Sequence, residues 1–429
     1  MNGGRSMARA ATREAIEAAF RIESPRLIGG LVRLVRDVGL AEDLAQEALV
    51  AALERWVVTG IPDNQGAWLM ATARNRALDH LRRHQMVERK HGVLADEESI
   101  APARPLGIEQ ALDEDVGDDL LRLILIACHP VLSKEARVAL TLRLLGGLTV
   151  EEIARAFLVP APTIAQRIVR AKRTLMEARA PFEVPRGEEL SARIPSVMEV
   201  IYLIFNEGYT ATRGGEWMRT ELCEDALRLA RILVGLVPHE AEVHGLVALL
   251  ELQASRSRAR LGPAGEPILL LDQDRARWDY LLIRRGLAAL ARAEALARPL
   301  GPYALQAAIA ACHARAKVAK ETEWKRIVVL YDALAELTQS PVVELNRAVA
   351  VSMAFGPAAG LQLVDALVEE AALRSFHLLP SVRGDLLVKL GRGAEARGEF
   401  ERAASMAGNA RERALLLSRA KACDAKGSD

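Results

Sequence analysis

Between Gln166 and Arg173 the sequence gathers Gln166, Arg167, Arg170, Lys172 and Arg173 into one short stretch. These side chains can read and hold DNA. A glutamine amide pairs bidentately with adenine and an arginine fork with guanine, so Gln166 and Arg167 can reach base edges. Arg170, Lys172 and Arg173 suit phosphates, which add affinity but carry no sequence information. A second set, Asn75, Arg76, His80, Arg82 and Arg83, follows Trp68. Such a basic surface can lie along a nucleic-acid backbone, and a tryptophan ring can wedge at a fork or stack on an unpaired base. Trp68 serves equally well as a core residue, because tryptophan is mostly buried in folded proteins. No catalytic constellation accompanies these sets: the chain has no Walker loop and no G-x-S-x-G elbow. In Cys128-His129 and Cys312-His313 the paired side chains diverge by about 100° on a helix, which argues against a shared metal. The expectation is a recognition protein, not an enzyme, with no catalytic residue, no metal and no cofactor.

The elements that must position these residues read as helices. Thr149, with Glu151 and Glu152 behind it, is a capping arrangement that opens a helix over Val150 to Phe157. Leu158-Val159-Pro160 breaks that helix, and Pro162 sits near the first turn of the next, where proline is tolerated. The second helix, roughly Pro162 to Glu177, buries Ile164, Ile168, Ala171 and Leu175 and turns Gln166, Arg167, Arg170, Lys172 and Arg173 outward. A short turn between two helices, the second basic on its exposed face, is major-groove geometry. An ordinary helical hairpin has the same outline. Upstream, Ala41 to Trp56 reads as a helix with Glu42, Asp43, Gln46 and Glu47 on its polar side. Thr59 to Gly66 is a loop by composition, and Gly66 to Arg83 is a helix with Leu69, Ala73, Ala77 and Leu81 in its apolar stripe.

Charge divides the chain more sharply than hydropathy. Residues 1–90 carry 14 Lys/Arg against 11 Asp/Glu. Residues 91–119 carry 9 acidic residues and one basic, Arg104, together with several Pro and Gly, and read as a flexible acidic linker. Residues 134–182 return to 9 Lys/Arg against 4 Glu. The net charge of the 429 residues is only +1, so the argument for a nucleic-acid partner rests on these local blocks. Apolar content of 51% with only 4% aromatics, in a chain rich in Ala, Leu and Arg, favours an all-α fold. Four dispersed cysteines without a C-x-x-C pair point to reduced, buried thiols in a cytoplasmic protein. The start of the chain lacks the apolar core of a signal peptide, and the uncharged run from Ala348 to Val364 is too short to span a membrane.

Beyond Pro181–Gly187 the chain continues as helices with Gly/Pro punctuation. In Leu387 to Ala404, Leu390-Gly391, Glu395-Ala396, Phe400 and Ala403 fall where a tetratricopeptide repeat has its packing residues, and Trp324 to Leu367 looks like a degenerate copy. The expectation is an irregular tetratricopeptide-like array over 188–429. Ile201 to Ala211 either contacts the preceding module or packs as a helix end on its own domain. The polar cluster Leu271 to Asp279 reads best as a salt-bridged helix start, with ligand binding as the alternative.

EDLAQEALVAALERW, the loop, and GAWLMATARNRALDHLRR together resemble domain 2 of the extracytoplasmic-function group of sigma factors. LSKEARVALTLRLLGGLTVEEIARAFLVPAPTIAQRIVRAKRTL resembles their domain 4. The resemblance covers about 1–182 and implies sigma domain 2 over 1–90, the linker over 91–119 and sigma domain 4 over 120–182. It implies contact with core RNA polymerase through Asp43, Gln46 and Glu47. It implies capture of the promoter −10 element by Asp63, Asn64, Gln65, Trp68, Asn75, Arg76 and His80, with Arg82 and Arg83 beside them. The −35 element falls to Thr163, Gln166, Arg167 and Arg170, with Lys172 and Arg173 on phosphates. Pro162 and Ala165 stand where many members have glycine and a polar residue. The long C-terminal part resembles the subgroup with a tetratricopeptide-like extension, in which DDLLRLILIACHPVLSKEARVALTLRLLGGLT and VIYLIFNEGYTA recur. That subgroup generally lacks a dedicated anti-sigma membrane protein, which implies that the extension itself regulates activity through a protein or ligand. The competing reading is a one-component helix-turn-helix regulator with a helical sensor domain, which needs no polymerase contact from 41–83. A helical scaffold or enzyme without a DNA role leaves both basic segments unexplained.

Overall fold

The computed structural model describes residues 16–425 apart from 17–19, 21–22, 93–115, 158, 179, 181, 186, 212–216 and 264. They fold into helices, and among them the one β pairing is the isolated bridge Leu261–Pro267. The fold is all-α, as composition and periodicity predict. Two compact units divide it: the first holds residues up to 155 and 159–200, the second 156–158 and 201–429.

The first unit starts with α1 over 23–35 and α2, Val38–Thr59. Next come α3, Gln65–Gly92, and α4, Val116–Ala127. They are followed by α5, Lys134–Leu144, α6, Val150–Phe157, α7, Ala161–Glu177, and the first part of α8, Glu188–Tyr209. The helix read as Gly66–Arg83 runs further than its apolar stripe requires. Helix α4 begins at Val116, inside the stretch read as linker, and the rest of that linker from 93 to 115 lies outside the described residues. Asp119 is buried and ion-paired with Arg33 of α1 and Arg122 of its own helix. Gly29 of α1 has no room for a side chain there, since a Cβ would stand 2.7 Å from the Asp119 carbonyl oxygen.

Helix α6 opens on the capping box anticipated at Thr149. The Thr149 N–H donates to Glu152 Oε2 at 2.7 Å, and the Glu152 N–H donates to Thr149 Oγ1 at 3.1 Å. Thr149→Ala is expected to cost about 1 kcal/mol, read as a lower midpoint in denaturant titration. Pro160 caps α7 and Pro162 lies in its first turn. The buried face of α7 is Ile164, Ile168, Ala171 and Leu175, the four positions that 3.6-residue spacing selects.

The start of α8 packs within this first unit. Arg193 donates to the Leu125 carbonyl at 2.7 Å and Ser196 Oγ to the Cys128 carbonyl at 2.8 Å, while Ile194 and Val197 are buried. The compact unit therefore extends beyond the break at Pro181–Gly187, as far as Val200.

The second unit contains the end of α8, then α9, Thr220–Leu236, and α10, Ala241–Ala254. It continues with α11, Tyr280–Leu296, α12, Pro302–Arg315, α13, Trp324–Thr338, and α14, Pro341–Phe355. The last helices are α15, Pro357–Ala366, α16, Leu378–Lys389, α17, Gly393–Met406, and α18, Ala410–Ala425. The breaks at Ser340-Pro341 and Gly356-Pro357 separate α13, α14 and α15. Successive cores share helices: α12 gives Ala307 and Ala311 to one core and Leu305, Ile309 and Cys312 to the next. Likewise α14 gives Ala350 to that second core and Leu345 and Ala348 to a third, which holds Leu387, Ala396, Phe400 and Ala403. Two-faced helices handing on from core to core are compatible with a tetratricopeptide-like array.

The end of α8 packs on its own unit: Gly208 meets the start of α9, and Asn409 Nδ2 donates to the Ala211 carbonyl at 3.1 Å. The Leu271–Asp279 stretch is not a salt-bridged helix start. Asp279 Oδ1 caps α11 by accepting from Leu281 and Leu282 N–H, while Arg275 is buried and donates to the His313 and Ala316 carbonyls. All four cysteines are free and buried. Burial pushes the Cys128 thiol up to about 11 and the Cys223 thiol up to about 12, which keeps both protonated and unreactive.

Candidate nucleic-acid and polymerase interfaces

On α2, Ala41, Leu44, Ala45, Ala48, Ala52 and Trp56 face inward. The opposite face exposes Asp43, Glu47, Val50 and Glu54 at spacings that fall on one stripe, with Gln46 half-buried beside it. An acidic stripe with an apolar residue in its middle suits a basic protein partner better than DNA.

Helix α3 follows the loop that carries Asp63 and Asn64, both exposed. Asn64 Oδ1 accepts the Ala67 N–H at 2.9 Å, so Asn64 also helps to start the helix. Gln65 and Gly66 are half-buried, and a Cβ at Gly66 would meet Glu23 Oε2 at 2.8 Å. Leu69, Ala73 and Ala77 are buried, whereas Asn75, His80, Arg82 and Arg83 are exposed. Trp68 is half-buried and meets the buried Trp56 edge to face, with ring centroids 5.1 Å apart. Its ring is thus anchored at the margin of the core with one side accessible. Arg76 donates to Glu47 Oε2 at 2.7 Å, joining a −10 candidate to a polymerase candidate. Glu47 is exposed and Arg76 half-buried with its side chain still reaching solvent, so the pair is expected to show a coupling of less than about 1 kcal/mol in a double-mutant cycle.

Helix α7 presents Thr163, Gln166, Arg170 and Arg173 to solvent, with Arg167 half-buried. Thr163, Gln166, Arg167 and Arg170 line a groove of about 480 Å³ against Ser133 and Glu135 at the start of α5. Lys172 points elsewhere. Its Nζ lies 2.5 Å from Glu42 Oε2 on α2, and Arg143 Nε of α5 donates to Glu42 Oε1 at 2.6 Å. Glu42 is 5% exposed. Burial works to raise its carboxyl, but Lys172 and Arg143 outweigh it and hold the group below the usual carboxylate range.

Sequence reasoning put Glu42 on the polar side of α2 and did not anticipate this cluster. Helical spacing carried the signal: Glu42 follows Val38 by four and precedes Ala45 by three, on the buried stripe. Its partners lie 101 and 130 positions further on, beyond reach of any local pattern.

Residues 19–86 match the family model described as Sigma-70 region 2, and residues 122–175 match Sigma-70, region 4. Residues 193–294 match one described as Family of unknown function (DUF6596). The "Uncharacterized protein R00370" of Rhizobium meliloti is 43% identical over 404 residues, 94% of each chain. The "Probable ECF RNA polymerase sigma factor SigI" of Mycobacterium tuberculosis is 32% identical over 171 residues, 38% of this chain and 55% of that one. The "RNA polymerase sigma-H factor" of Pseudomonas aeruginosa is 29% identical over 158 residues, 37% of this chain and 82% of that one. Two promoter-reading regions in this order on one all-helical chain define a sigma factor. The chain belongs to the extracytoplasmic-function-like sigma factors, in a form that carries a C-terminal extension. Among the described residues no helix is long and apolar enough to cross a membrane.

Proposed function

We propose that the chain binds core RNA polymerase through the Asp43–Glu47 stripe of α2, opens the −10 element on the exposed face of α3 and reads the −35 element with α7, acting in the cytoplasm. The observation that carries this reading is the pair of exposed nucleic-acid faces, Asn75/His80/Arg82/Arg83 and Thr163/Gln166/Arg170/Arg173, each backed by a buried apolar stripe. Trp68 is held by Trp56 at the rim where an unstacked base would arrive.

The Glu42 cluster bears on how the module works. The −10 and −35 elements lie about 25 base pairs apart, roughly 85 Å of duplex at 3.4 Å per step. A chain in which Lys172 touches Glu42 cannot address both elements, so the cluster opens when polymerase is bound and frees Lys172 for phosphate. Modulation by the extension belongs to the same proposal, and its support is a second unit of continuous helical cores with its own family match. The test is multi-round transcription with core polymerase, comparing the full chain with residues 1–200, which keep the part of α8 that packs on α4 and α5. A changed promoter output supports modulation, and identical output rules it out.

A further inference from the structure

Half-buried arginines of the second unit reach carboxylates. Arg231 lies 2.9 Å from the buried Glu251, Arg347 reaches Asp332 and Glu344, and Arg383 reaches Asp365 and Glu399. One cluster departs from this pattern. Arg256, Arg260 and Arg275 are 9%, 7% and 8% exposed, and among the described residues none has a carboxylate oxygen within ion-pair distance. Arg260 lies 3.5 Å over the Tyr209 ring and donates to the Tyr209 carbonyl and, at 3.0 Å, to Thr210 Oγ1. Arg275 donates to the His313 and Ala316 carbonyls at 2.6 and 2.7 Å and to Thr322 Oγ1 at 3.2 Å.

Arg256 differs from both. Its guanidinium carbon stands 5.9 Å from the Tyr209 ring and 5.9 Å from the Trp278 ring, its side chain makes no hydrogen bond among the described residues, and its Nε is buried without a partner. Gln273 Oε1, Trp278 Nε1 and His313 Nδ1 are buried without partners as well. Glu321 acts on Arg275 from a distance, but its Oε2 accepts the Lys317 N–H. A buried cation without a counter-charge is costly, and these cations also repel one another. The repulsion is visible in the neighbours: burial, then Arg256, lowers Arg275, and burial with Arg256 and Arg275 pushes His313 down to about 3.

We propose that this cluster binds a small molecule bearing an oxyanion, phosphate or carboxylate, on the fork of Arg256 between Tyr209 and Trp278. A guanidinium presents paired donors that match both anions, and Arg260 and Arg275 add positive potential while their own donors stay on carbonyls. The site draws on both motifs that promoter recognition leaves unused, Ile201–Ala211 through Tyr209 and Leu271–Asp279 through Arg275 and Trp278. It stands whether or not the extension governs transcription, because it is read by binding.

The experiment is thermal melting and calorimetry of the full chain in chloride buffer, with sodium phosphate and sodium acetate as probes at constant ionic strength. A saturable rise in Tm with at least one probe is expected. A response to phosphate alone assigns a phosphoryl ligand, and a response to acetate a carboxylate. Arg256→Met should abolish the response and melt no lower than the wild type without probe, since it removes an unmatched charge at similar volume. Arg256→Lys should bind about tenfold more weakly for want of the fork. No saturable shift with either probe, or undiminished binding in Arg256→Lys, overturns the proposal. If Arg256→Met does not fold, the lysine variant alone decides.

Discussion

Gln166→Ala is expected to weaken holoenzyme binding to its promoter about 5- to 150-fold, the loss of one bidentate base contact worth about 1–3 kcal/mol. The affinity for a scrambled −35 sequence should hardly change. Gln166 is exposed on the face of α7 opposite Ile164, Ile168 and Ala171, so alanine there removes recognition without disturbing the core. Arg170→Ala should behave differently. Its exposed guanidinium suits a phosphate, so the variant should bind every sequence more weakly and show a salt dependence shallower by about one phosphate contact. Binding isotherms on cognate and scrambled fragments at several salt concentrations separate the two. Equal losses on both fragments for Gln166→Ala would show that this residue does not read a base.

Glu42→Ala is expected to destabilise the first unit by about 1–3 kcal/mol at neutral pH, measured by denaturant titration. Removing one partner of a buried ion pair costs about 3–5 kcal/mol when the other charge stays buried. Here Arg143 and Lys172 are each 22% exposed and can recover water, which moderates the loss. The pH dependence has a definite sign. The Glu42 carboxyl is held below its ordinary range, so its stabilisation is present above the unfolded value of about 4.3. That stabilisation is lost as pH falls through the lower folded-state value, so the wild type and Glu42→Ala should converge in acid. The same substitution releases Lys172, and DNA binding by the free protein should rise. A variant with unchanged stability at neutral pH would show that the cluster does not hold α2 to α5 and α7.

Much of this arrangement was legible in the sequence because it is local. The 3.6-residue spacing of Ile164, Ile168, Ala171 and Leu175 placed α7 to within a residue, and the Thr149–Glu152 pair marked the start of α6. Exposure of Asp43, Glu47, Asn75, His80, Gln166 and Arg170 followed from the same periodicity. What escaped was tertiary. Nothing near Glu42 announces Arg143 or Lys172, so a carboxylate among polar neighbours was assigned to solvent. The polar cluster Leu271 to Asp279 reads as a salt-bridged helix start, yet Arg275 within it turns inward to carbonyls at the end of α12. Trp68 could be core or ligand platform from sequence. Its edge-to-face contact with Trp56 shows that one side of the ring is committed to packing.

Sigma activity is measured by run-off transcription with purified core RNA polymerase on a library of promoter fragments, with core enzyme alone as the control. New transcripts whose templates share −35 and −10 sequences are expected from the full chain or, where the extension restrains it, from residues 1–200. Silence from both, with neither co-migrating with core enzyme, would contradict sigma activity and favour a helix-turn-helix regulator that acts without touching polymerase.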